Sequence, residues 1–214
     1  MFQNSVKSLG DPNEAINYRP ISVLPTISKL FEKLMMQRLL GFLNKHNILH
    51  ASQHGFCTRH NTCTAGIEVL DNITNALDRK LLAIGLFLDI SKAFDSINHE
   101  ILFTKLEHYG IRGTVNSWFR SYLFNRYQYI ESNGVTSLLR KIVAGVPQGS
   151  ILGSLLYIIY VNDIFNVSDI AKCILYADDT AILLTGSNIV ELWSRCLAVF
   201  FLITLSGFVP IDLL

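Results

Sequence analysis

The sequence predicts a mixed α/β (α+β) fold, because segments with helical periodicity alternate with short apolar runs of strand length. Apolar residues recur at helical spacing in residues 27–43, whereas residues 81–88 form a nearly continuous apolar run. Half of the 214 residues are hydrophobic and 16% are charged, which provides enough apolar material for a domain-sized core. This composition excludes an intrinsically disordered chain.

The first helical pattern follows Pro25. The apolar side chains that share one face of residues 27–43 are Ile27, Leu30, Phe31, Leu34 and Met35. This spacing predicts an amphipathic helix. We expect further helices over residues 64–77, 99–109 and 150–160. The helix at 99–109 is expected to end at Gly110, since glycine is favoured directly after a helix C-terminus.

Short strands are expected in the rest of the chain. The run at residues 81–88 suits a strand buried on both faces and ends in Asp89. Asn133-Gly134, between residues 127–130 and 135–138, is a typical hairpin turn. The last two strand candidates, which flank Ala177-Asp178-Asp179, are residues 173–176 and 180–184.

Three carboxylates lie at the ends of these apolar strands. A tight hairpin over residues 173–184 would place Asp178 and Asp179 at its tip, and carboxylates in an apolar framework are costly without positive partners. If the two strand systems are neighbours in one sheet, Asp89 faces Asp178. A pair of Mg²⁺ ions would relieve their repulsion in an arrangement suited to phosphoryl transfer. The alternative is a solvated turn without chemistry.

The charge of the chain is nearly balanced, with 18 basic and 17 acidic residues, so net charge alone does not indicate a nucleic-acid partner. Between residues 112 and 141, however, basic side chains are interleaved with aromatic ones, and Glu131 is the one acidic residue. The basic residues are Arg112, Arg120, Arg126, Arg140 and Lys141. This mixture suits contact with a nucleic-acid backbone and stacked bases. The alternative is a helix with aromatic residues in the core and arginines outside.

The residue types also allow two other interpretations, a zinc site and a membrane anchor. Potential zinc ligands occur in a short window, but without a matching second pair: His46, His50, His54, Cys57, His60 and Cys63. Residues 196–211 carry no charge and, although short for a membrane span of ~20 residues, form a candidate membrane anchor. Four cysteines without a signal-like segment indicate an intracellular, reduced protein.

Three ordered blocks resemble the central motifs of reverse transcriptases. They are residues 87–95 (FLDISKAFD), 145–150 (GVPQGS) and 176–179 (YADD). Upstream, residues 17–22 (NYRPIS) and 53–56 (QHGF) are similar to fingers segments of the same family. Over about residues 15–190 the chain therefore resembles the RNA-directed DNA polymerase of non-LTR (LINE-type, jockey-like) retrotransposons.

The resemblance implies a right-hand polymerase fold with palm and fingers, an antiparallel palm sheet and a missing thumb. In one incomplete domain, about residues 15–80 would be fingers-like, about 81–192 the palm with inserted fingers and hairpin elements, and 193–214 a divergent apolar tail. It implies two Mg²⁺ ions, or Mn²⁺ in their place. The implied partners are an RNA template, a DNA primer and deoxynucleoside triphosphates, with no membrane; a nuclear location is compatible with it.

The resemblance also implies roles for individual residues. The catalytic metal ligands would be Asp89, Asp178 and Asp179. Phe94 would meet the sugar of the incoming nucleotide and exclude a 2′-hydroxyl. Gln148 and Gly149 would lie against the template and the new base pair, where a residue without Cβ allows close approach.

Three positions or segments depart from the family pattern. Cys57 stands where the family has an arginine that holds the triphosphate, and Arg59 is the candidate to replace it. Ser154 stands in place of a proline. No lysine follows Lys172, whereas the family has one that can protonate the leaving pyrophosphate. The tail after about residue 193 is therefore interpreted as readthrough, a frameshift or a misjoined exon. The rival interpretation is a catalytically dead retroelement relic with residual nucleic-acid binding.

Overall fold

The structure is a computed structural model that describes residues 2–8, 18–57, 59–89, 93–132, 135–166 and 168–205; the side chains of residues 2–8, 18–20, 89, 132 and 204–205 lie outside this description. The helices are α1 (Thr26–Lys45), α2 (Thr62–Asp78), α3 (His99–His108), α4 (Gly113–Leu123), α5 (Ile151–Val161) and α6 (Ile189–Leu205). The strands are β1 (Phe2–Ser8), β2 (Tyr18–Val23), β3 (Leu82–Asp89), β4 (Tyr127–Ser132), β5 (Val135–Thr136), β6 (Arg140–Lys141), β7 (Ala171–Tyr176) and β8 (Asp179–Gly186). The predicted mixed fold is confirmed.

The chain forms two compact units, each assembled from two separate stretches. The first unit comprises Met1–His46 and Phe94–Tyr160, and the second comprises Asn47–Ala93 and Val161–Leu214. The sequence alone predicts one continuous domain, because no linker-like stretch marks a boundary.

The second unit contains an antiparallel sheet in the order β3-β8-β7. Strand β8 is central and is buried almost throughout, since α2 and α6 both pack against it. Strand β3 is an edge strand, and its residues Leu82 and Phe87 are exposed, Phe87 by 73%. The expectation that residues 81–88 are buried on both faces is therefore wrong: none of these side chains is buried, and among the described strands β3 pairs with β8 alone.

Helix α6 includes part of the apolar segment that the sequence leaves without a structural assignment. Its buried side chains recur at helical spacing and are Leu192, Cys196, Val199 and Ile203. The helix packs against β8 and β3, where Gly186 lets the backbone approach Leu192 closely. Among the described helices, none is both long enough and apolar enough to cross a membrane.

The first unit combines a small sheet with four helices. Its strands follow the order β2-β1-β4-β5, and β6 also pairs with β4. The β4–β5 pairing confirms the predicted hairpin, whereas its Asn133-Gly134 turn lies outside the described residues. The largest fully buried side chains of this unit include Leu43, Phe103, Leu106, Phe119, Leu152 and Tyr157. After α3, Gly110 adopts a φ of 89°, as expected at a helix end.

Helix α1 occupies the predicted segment but buries a different face. Its apolar stripe is largely exposed, with Ile27 and Phe31 at 70% and 58%, whereas Glu32 is 1% exposed. The Glu32 carboxylate accepts hydrogen bonds from the Tyr122 hydroxyl at 2.7 Å and from the Ile151 N–H at 2.8 Å. Because Ile151 begins α5, this carboxylate satisfies a free N–H at the positive end of that helix. Helix α1 is therefore oriented by a polar contact that periodicity does not reveal.

Candidate active site

Asp89 and Asp179 are direct partners across two antiparallel strands. The register of β3 and β8 runs from Leu82 opposite Gly186 to Asp89 opposite Asp179. Opposite Cα atoms in such a ladder are roughly 4.5–5.5 Å apart. The predicted adjacency of the strand ends is thus confirmed for the backbone, with Asp179 rather than Asp178 facing Asp89, because Asp178 occupies the turn. The side chain of Asp89 lies outside the described residues.

The turn before β8 has a constrained backbone. Tyr176 pairs with Asp179, so that Ala177 and Asp178 form a two-residue connection between β7 and β8. Ala177 has a positive φ of 57°, whereas Asp178 is not among the residues with positive φ. A positive φ at the first central residue alone is typical of a type II′ turn. That position normally carries glycine, and a residue with a Cβ is strained there by about 1–3 kcal/mol. We call residues 176–179 the carboxylate turn.

A short segment, residues 52–55, lies beside β7 and extends the sheet; we call it the supporting segment. Gln53 forms a parallel bridge with Leu175. The Leu175 N–H donates to the Ser52 carbonyl at 2.9 Å, and the His54 N–H donates to the Leu175 carbonyl at 2.7 Å. These two hydrogen bonds tie the supporting segment to the strand that leads into the carboxylate turn.

Two residues of the supporting segment reach the turn itself. The Gln53 side chain is 1% exposed, and its Oε1 accepts hydrogen bonds from the N–H groups of Gly55 at 2.7 Å and Ala177 at 3.4 Å. A Cβ on Gly55 would lie 2.2 Å from the Ala177 nitrogen. Glycine is therefore required at position 55 for this close approach. Sequence analysis placed both residues in the QHGF block but assigned them no role.

The opposite side of the supporting segment is held by α2. His54 Nε2 donates to Glu68 Oε2 at 2.7 Å, and Ser52 Oγ donates to Glu68 Oε1 at 2.8 Å. Burial alone would raise the pKa of the Glu68 carboxyl, but the hydrogen bonds from His54 and Ser52 and the Lys172 ammonium at 3.3 Å hold that pKa below its usual value. Glu68 is thus an ionised anchor for this segment.

Three of the candidate zinc ligands, namely His50, His54 and His60, make other contacts in this region. His54 lies 2.9 Å from Thr64 Oγ1 through its second ring nitrogen, and His60 Nδ1 lies 3.1 Å from the Gln53 carbonyl oxygen. The ring of His50 stacks on Phe165 with 3.8 Å between centroids. Among the described side chains, which do not include that of Asp89, no three His, Cys, Asp or Glu residues are grouped so that they could hold a metal ion.

In the first unit, three of the four predicted substrate residues, namely Phe94, Gln148 and Gly149, lie around one loop. Phe94 is half-buried, its ring lies 5.2 Å from that of Tyr157, and its carbonyl accepts a hydrogen bond from the Val146 N–H at 2.8 Å. Gln148 Nε2 donates to Asp95 Oδ2 at 3.2 Å, and Gly149 has a φ of 87°. The structure therefore brings Phe94, Gln148 and Gly149 onto two interacting segments.

Gly145 is the residue that permits this loop contact, and sequence analysis gave it no individual role. It has a φ of 84°, and a Cβ there would lie 2.8 Å from the Asp95 Cα atom. Its carbonyl oxygen accepts a hydrogen bond from Nε2 of the buried His99 at 2.7 Å. The loop lines a cavity of about 300 Å³ together with Asp95 and Lys141. Glycine at 145 and a buried histidine at 99 thus fix the shape of this cavity wall.

Cys57 and Arg59, for which the resemblance predicts the triphosphate position, lie in the second unit. Cys57 is half-buried, and burial raises the pKa of its thiol, so the neutral form is favoured. Arg59 is exposed and has a φ of 67°. The residue between them lies outside the described part of the chain.

The predicted basic segment divides into two kinds of residue. The first three arginines contact their own unit: Arg112 Nε donates to the Glu107 carbonyl at 3.0 Å, Arg120 lies over the Phe103 ring at 4.5 Å, and Arg126 Nε donates to the Tyr122 carbonyl at 2.8 Å. Arg140 and Lys141, in contrast, are exposed on β6. Helix α4, with buried Phe119 and Tyr122, matches the core alternative, whereas β6 presents its cations to solvent.

Comparisons with known proteins give one consistent result. A model of the family described as reverse transcriptase (RNA-dependent DNA polymerase) matches residues 10–202. The chain is 34% identical over 192 residues to the probable RNA-directed DNA polymerase from transposon BS of Drosophila melanogaster. It is 32% identical over 185 residues to the RNA-directed DNA polymerase from the mobile element jockey of the same species. Each alignment covers 83% of this chain and 20% of the relative, so the chain spans about a fifth of their length.

Solved structures with a similar fold include telomerases. Apo telomerase from Candida tropicalis truncated from its C-terminal domain superposes with a TM-score of 0.65 at 14% identity, over 98% of this chain and 48% of that chain. A second apo telomerase structure from the same species gives a TM-score of 0.66 at 12% identity, over 98% and 43% of the two chains. At these identities the likeness concerns the fold alone.

Proposed function

Because the chain belongs to the reverse transcriptase family, we propose that it is the palm-and-fingers part of an RNA-directed DNA polymerase of a non-LTR retrotransposon. The observation that carries the proposal is the register that sets Asp89 opposite Asp179, beside Asp178 in the carboxylate turn. In this proposal about residues 15–80 are fingers-like, about 81–192 form the palm and 193–214 form the tail.

The donor chemistry of this strand end fits a hard divalent cation. Asp178 is half-buried and Asp179 is exposed at the tip of one hairpin, and carboxylate oxygens are the ligands that Mg²⁺ prefers. We expect Asp89, Asp178 and Asp179 to hold two Mg²⁺ ions, or Mn²⁺ in their place. When bound, such ions lower the pKa of a primer 3′-hydroxyl and stabilise charge on the phosphoryl oxygens.

The first unit would select the nucleotide. The Phe94 ring is held by Tyr157 and its carbonyl by Val146, so it offers a fixed surface to a sugar. We expect it to exclude a 2′-hydroxyl. Gln148 is oriented by Asp95, and Gly149 exposes backbone without a Cβ, which suits contact with the template and the new base pair. Arg59, exposed in the second unit, is the candidate contact for the triphosphate.

Template and primer would be bound through their backbones. Arg140 and Lys141 are exposed cations on β6, and Arg112, Arg120 and Arg126 lie in the same unit. Phosphate contacts position a duplex without reading its sequence, which in template-directed synthesis is read by base pairing. A chain with a net charge of +1 can therefore act on an RNA template, a DNA primer and deoxynucleoside triphosphates through local basic residues.

The direct test is primer extension on a homopolymeric RNA template with a complementary DNA primer and Mg²⁺. We expect DNA synthesis by the unaltered chain, and a loss of roughly a thousandfold or more in Asp178→Asn, because a neutral amide cannot replace a carboxylate ligand. Salt-sensitive RNA binding without synthesis by either protein would instead support the catalytically dead relic.

A further inference from the structure

The Gln53 side chain is an unusual buried amide. Its oxygen accepts two backbone N–H groups, whereas its nitrogen Nε2 has no hydrogen-bond partner among the described residues. Leaving a buried donor unsatisfied is unfavourable, so a side chain whose only task is to fill space would be apolar. The role of Gln53 therefore lies in its Oε1 atom, which accepts both hydrogen bonds.

Both donors to Oε1 belong to strained or crowded backbone. Ala177 carries the left-handed φ of 57°, and Gly55 touches the Ala177 backbone so closely that a Cβ would collide with it. The backbone of β7 is already paired with the Ser52 and His54 backbone through Leu175. These ladder bonds end at Leu175, two residues before Ala177. Of the described contacts, the Gln53 amide is the one that continues the support from the ladder into the turn.

We propose that Gln53 is a positioning residue that holds the carboxylate turn in the conformation presenting Asp178 and Asp179. The significance of this role for catalysis rests on the proposed polymerase function, whereas the clamp itself does not. By accepting the Ala177 N–H, Gln53 opposes relaxation of Ala177 toward negative φ, which would rotate the following peptide and move both carboxylates. Strained residues persist where the surroundings determine their conformation, and Gln53 is part of those surroundings.

The residue type matches this task. A neutral amide accepts two N–H groups without adding a negative charge beside Asp178 and Asp179, whose mutual repulsion a further carboxylate would increase. Asparagine is shorter by one methylene and would not reach both donors from the same backbone position. The Gln53 backbone is fixed by its bridge to Leu175, and α2 anchors its neighbours Ser52 and His54 through Glu68. The clamp is therefore attached to the helix through two side chains.

The test is amide hydrogen exchange measured by NMR in Gln53→Met, which keeps the volume of the side chain and removes the acceptor. We expect exchange of the Ala177 N–H to be at least about tenfold faster than in the unaltered chain. Exchange of the Leu175 N–H, bonded to the Ser52 carbonyl, should stay unchanged and serves as the internal reference. Gln53→Asn, whose amide is shorter by one methylene and cannot reach both donors, should also speed exchange of the Ala177 N–H. Gln37→Met, at an exposed position of α1, is the matched control.

The kinetic readout distinguishes positioning from general loss of structure. In Gln53→Met we expect kcat for primer extension to fall roughly tenfold to a hundredfold while KM for the nucleotide changes by less than about twofold. Unchanged Ala177 exchange in Gln53→Met would overturn the proposal, whatever the activity. Faster exchange together with no synthesis by the unaltered chain would support the clamp and reject the proposed function. If Gln53→Met does not fold, Gln53→Asn decides: unchanged Ala177 exchange in that folded variant overturns the proposal.

Discussion

The backbones of Gly55 and Ala177 meet more closely than any side chain at position 55 would allow. A Cβ on Gly55 would lie 2.2 Å from the Ala177 nitrogen and 2.7 Å from its Cα atom. The two residues are separated by more than a hundred positions in sequence, yet the geometry of each depends on the other. The carboxylate turn is therefore shaped by the supporting segment as well as by its own residues.

Gly55→Ala should displace the carboxylate turn. The new methyl group must push away backbone atoms, which we expect to lower the free energy of unfolding by about 1–3 kcal/mol and primer extension by at least about tenfold. Denaturant unfolding and extension assays measure the two effects. The matched control is Gly66→Ala in α2, where a Cβ meets no atom within 4 Å. That variant should gain about 0.5–1 kcal/mol. Equal stability of both variants would contradict the contact.

Ala177→Gly should stabilise the protein, because glycine adopts the left-handed φ of Ala177 without steric strain. We expect a gain of up to about 1 kcal/mol in the free energy of unfolding, after the larger entropy loss of glycine is subtracted. The same substitution at the exposed Ala198 of α6 should instead cost about 1 kcal/mol. Denaturant unfolding of both variants gives the two signs, and a loss in Ala177→Gly would mean that the turn is not strained.

Glu68→Gln should make the free energy of unfolding less dependent on pH under acidic conditions. The pKa of Glu68 is lower in the folded protein than the ordinary value of 4.5, so its contribution to stability is present above that value and is lost as the pH falls through the folded pKa. We expect the free energy of unfolding of the unaltered protein to fall more steeply below pH 4.5 than that of Glu68→Gln. Parallel profiles of the two proteins between about pH 5 and 3 would show that this carboxylate is not selectively stabilised.

Tyr122→Phe should destabilise the first unit by about 1–3 kcal/mol, because the buried Glu32 carboxylate loses one of its two described donors. Burial, together with the Glu32 carboxylate, raises the pKa of Tyr122 and keeps its hydroxyl available as a donor. Tyr127→Phe, at a 42% exposed position of β4, is the control and should change stability by less than about 0.5 kcal/mol. Indistinguishable unfolding curves for the two variants would argue against the Glu32 contact.

Phe94→Ala should weaken discrimination against ribonucleotides if the ring meets the sugar. We expect the ratio of ribonucleotide to deoxynucleotide incorporation to rise roughly tenfold to a hundredfold, as measured by kcat/KM for each substrate. Phe31→Ala removes a 58% exposed ring of α1 and should leave the ratio unchanged. A fall in activity with both nucleotides and no change in their ratio would indicate that Phe94 has only a packing role.

The elements with strong local patterns were predictable from sequence. The helix expected over residues 27–43 is α1, and the expected strands around the YADD block are β7 and β8. The antiparallel palm sheet implied by the resemblance is present as β3-β8-β7. The prediction of which faces of β3 and α1 are buried was wrong. The exposure of Phe87 follows from the edge position of β3, and the burial of Glu32 follows from the start of α5; neither position is encoded by periodicity.

Within the site, the residues at motif positions were predictable from sequence, whereas the residues that support them were not. Asp89, Asp178 and Asp179 were identified, and their roles as metal ligands stay a prediction. Gln53 and Gly55 act on Ala177 through contacts between residues more than a hundred positions apart, which no local pattern contains. The short β1 and β2 strands and helix α6 were also not predicted as elements. Their stability depends on neighbours rather than on local periodicity.

The division of each unit between two stretches of chain constrains how the protein can be made. The first unit begins with Met1–His46 but needs Phe94–Tyr160, so the intervening residues must close as a loop before its core is complete. A ribosome must therefore translate well beyond residue 160 before the early segment finds its packing partners. Until then, nascent α1 lacks its anchor, because neither Tyr122 nor Ile151 is available to donate a hydrogen bond to Glu32.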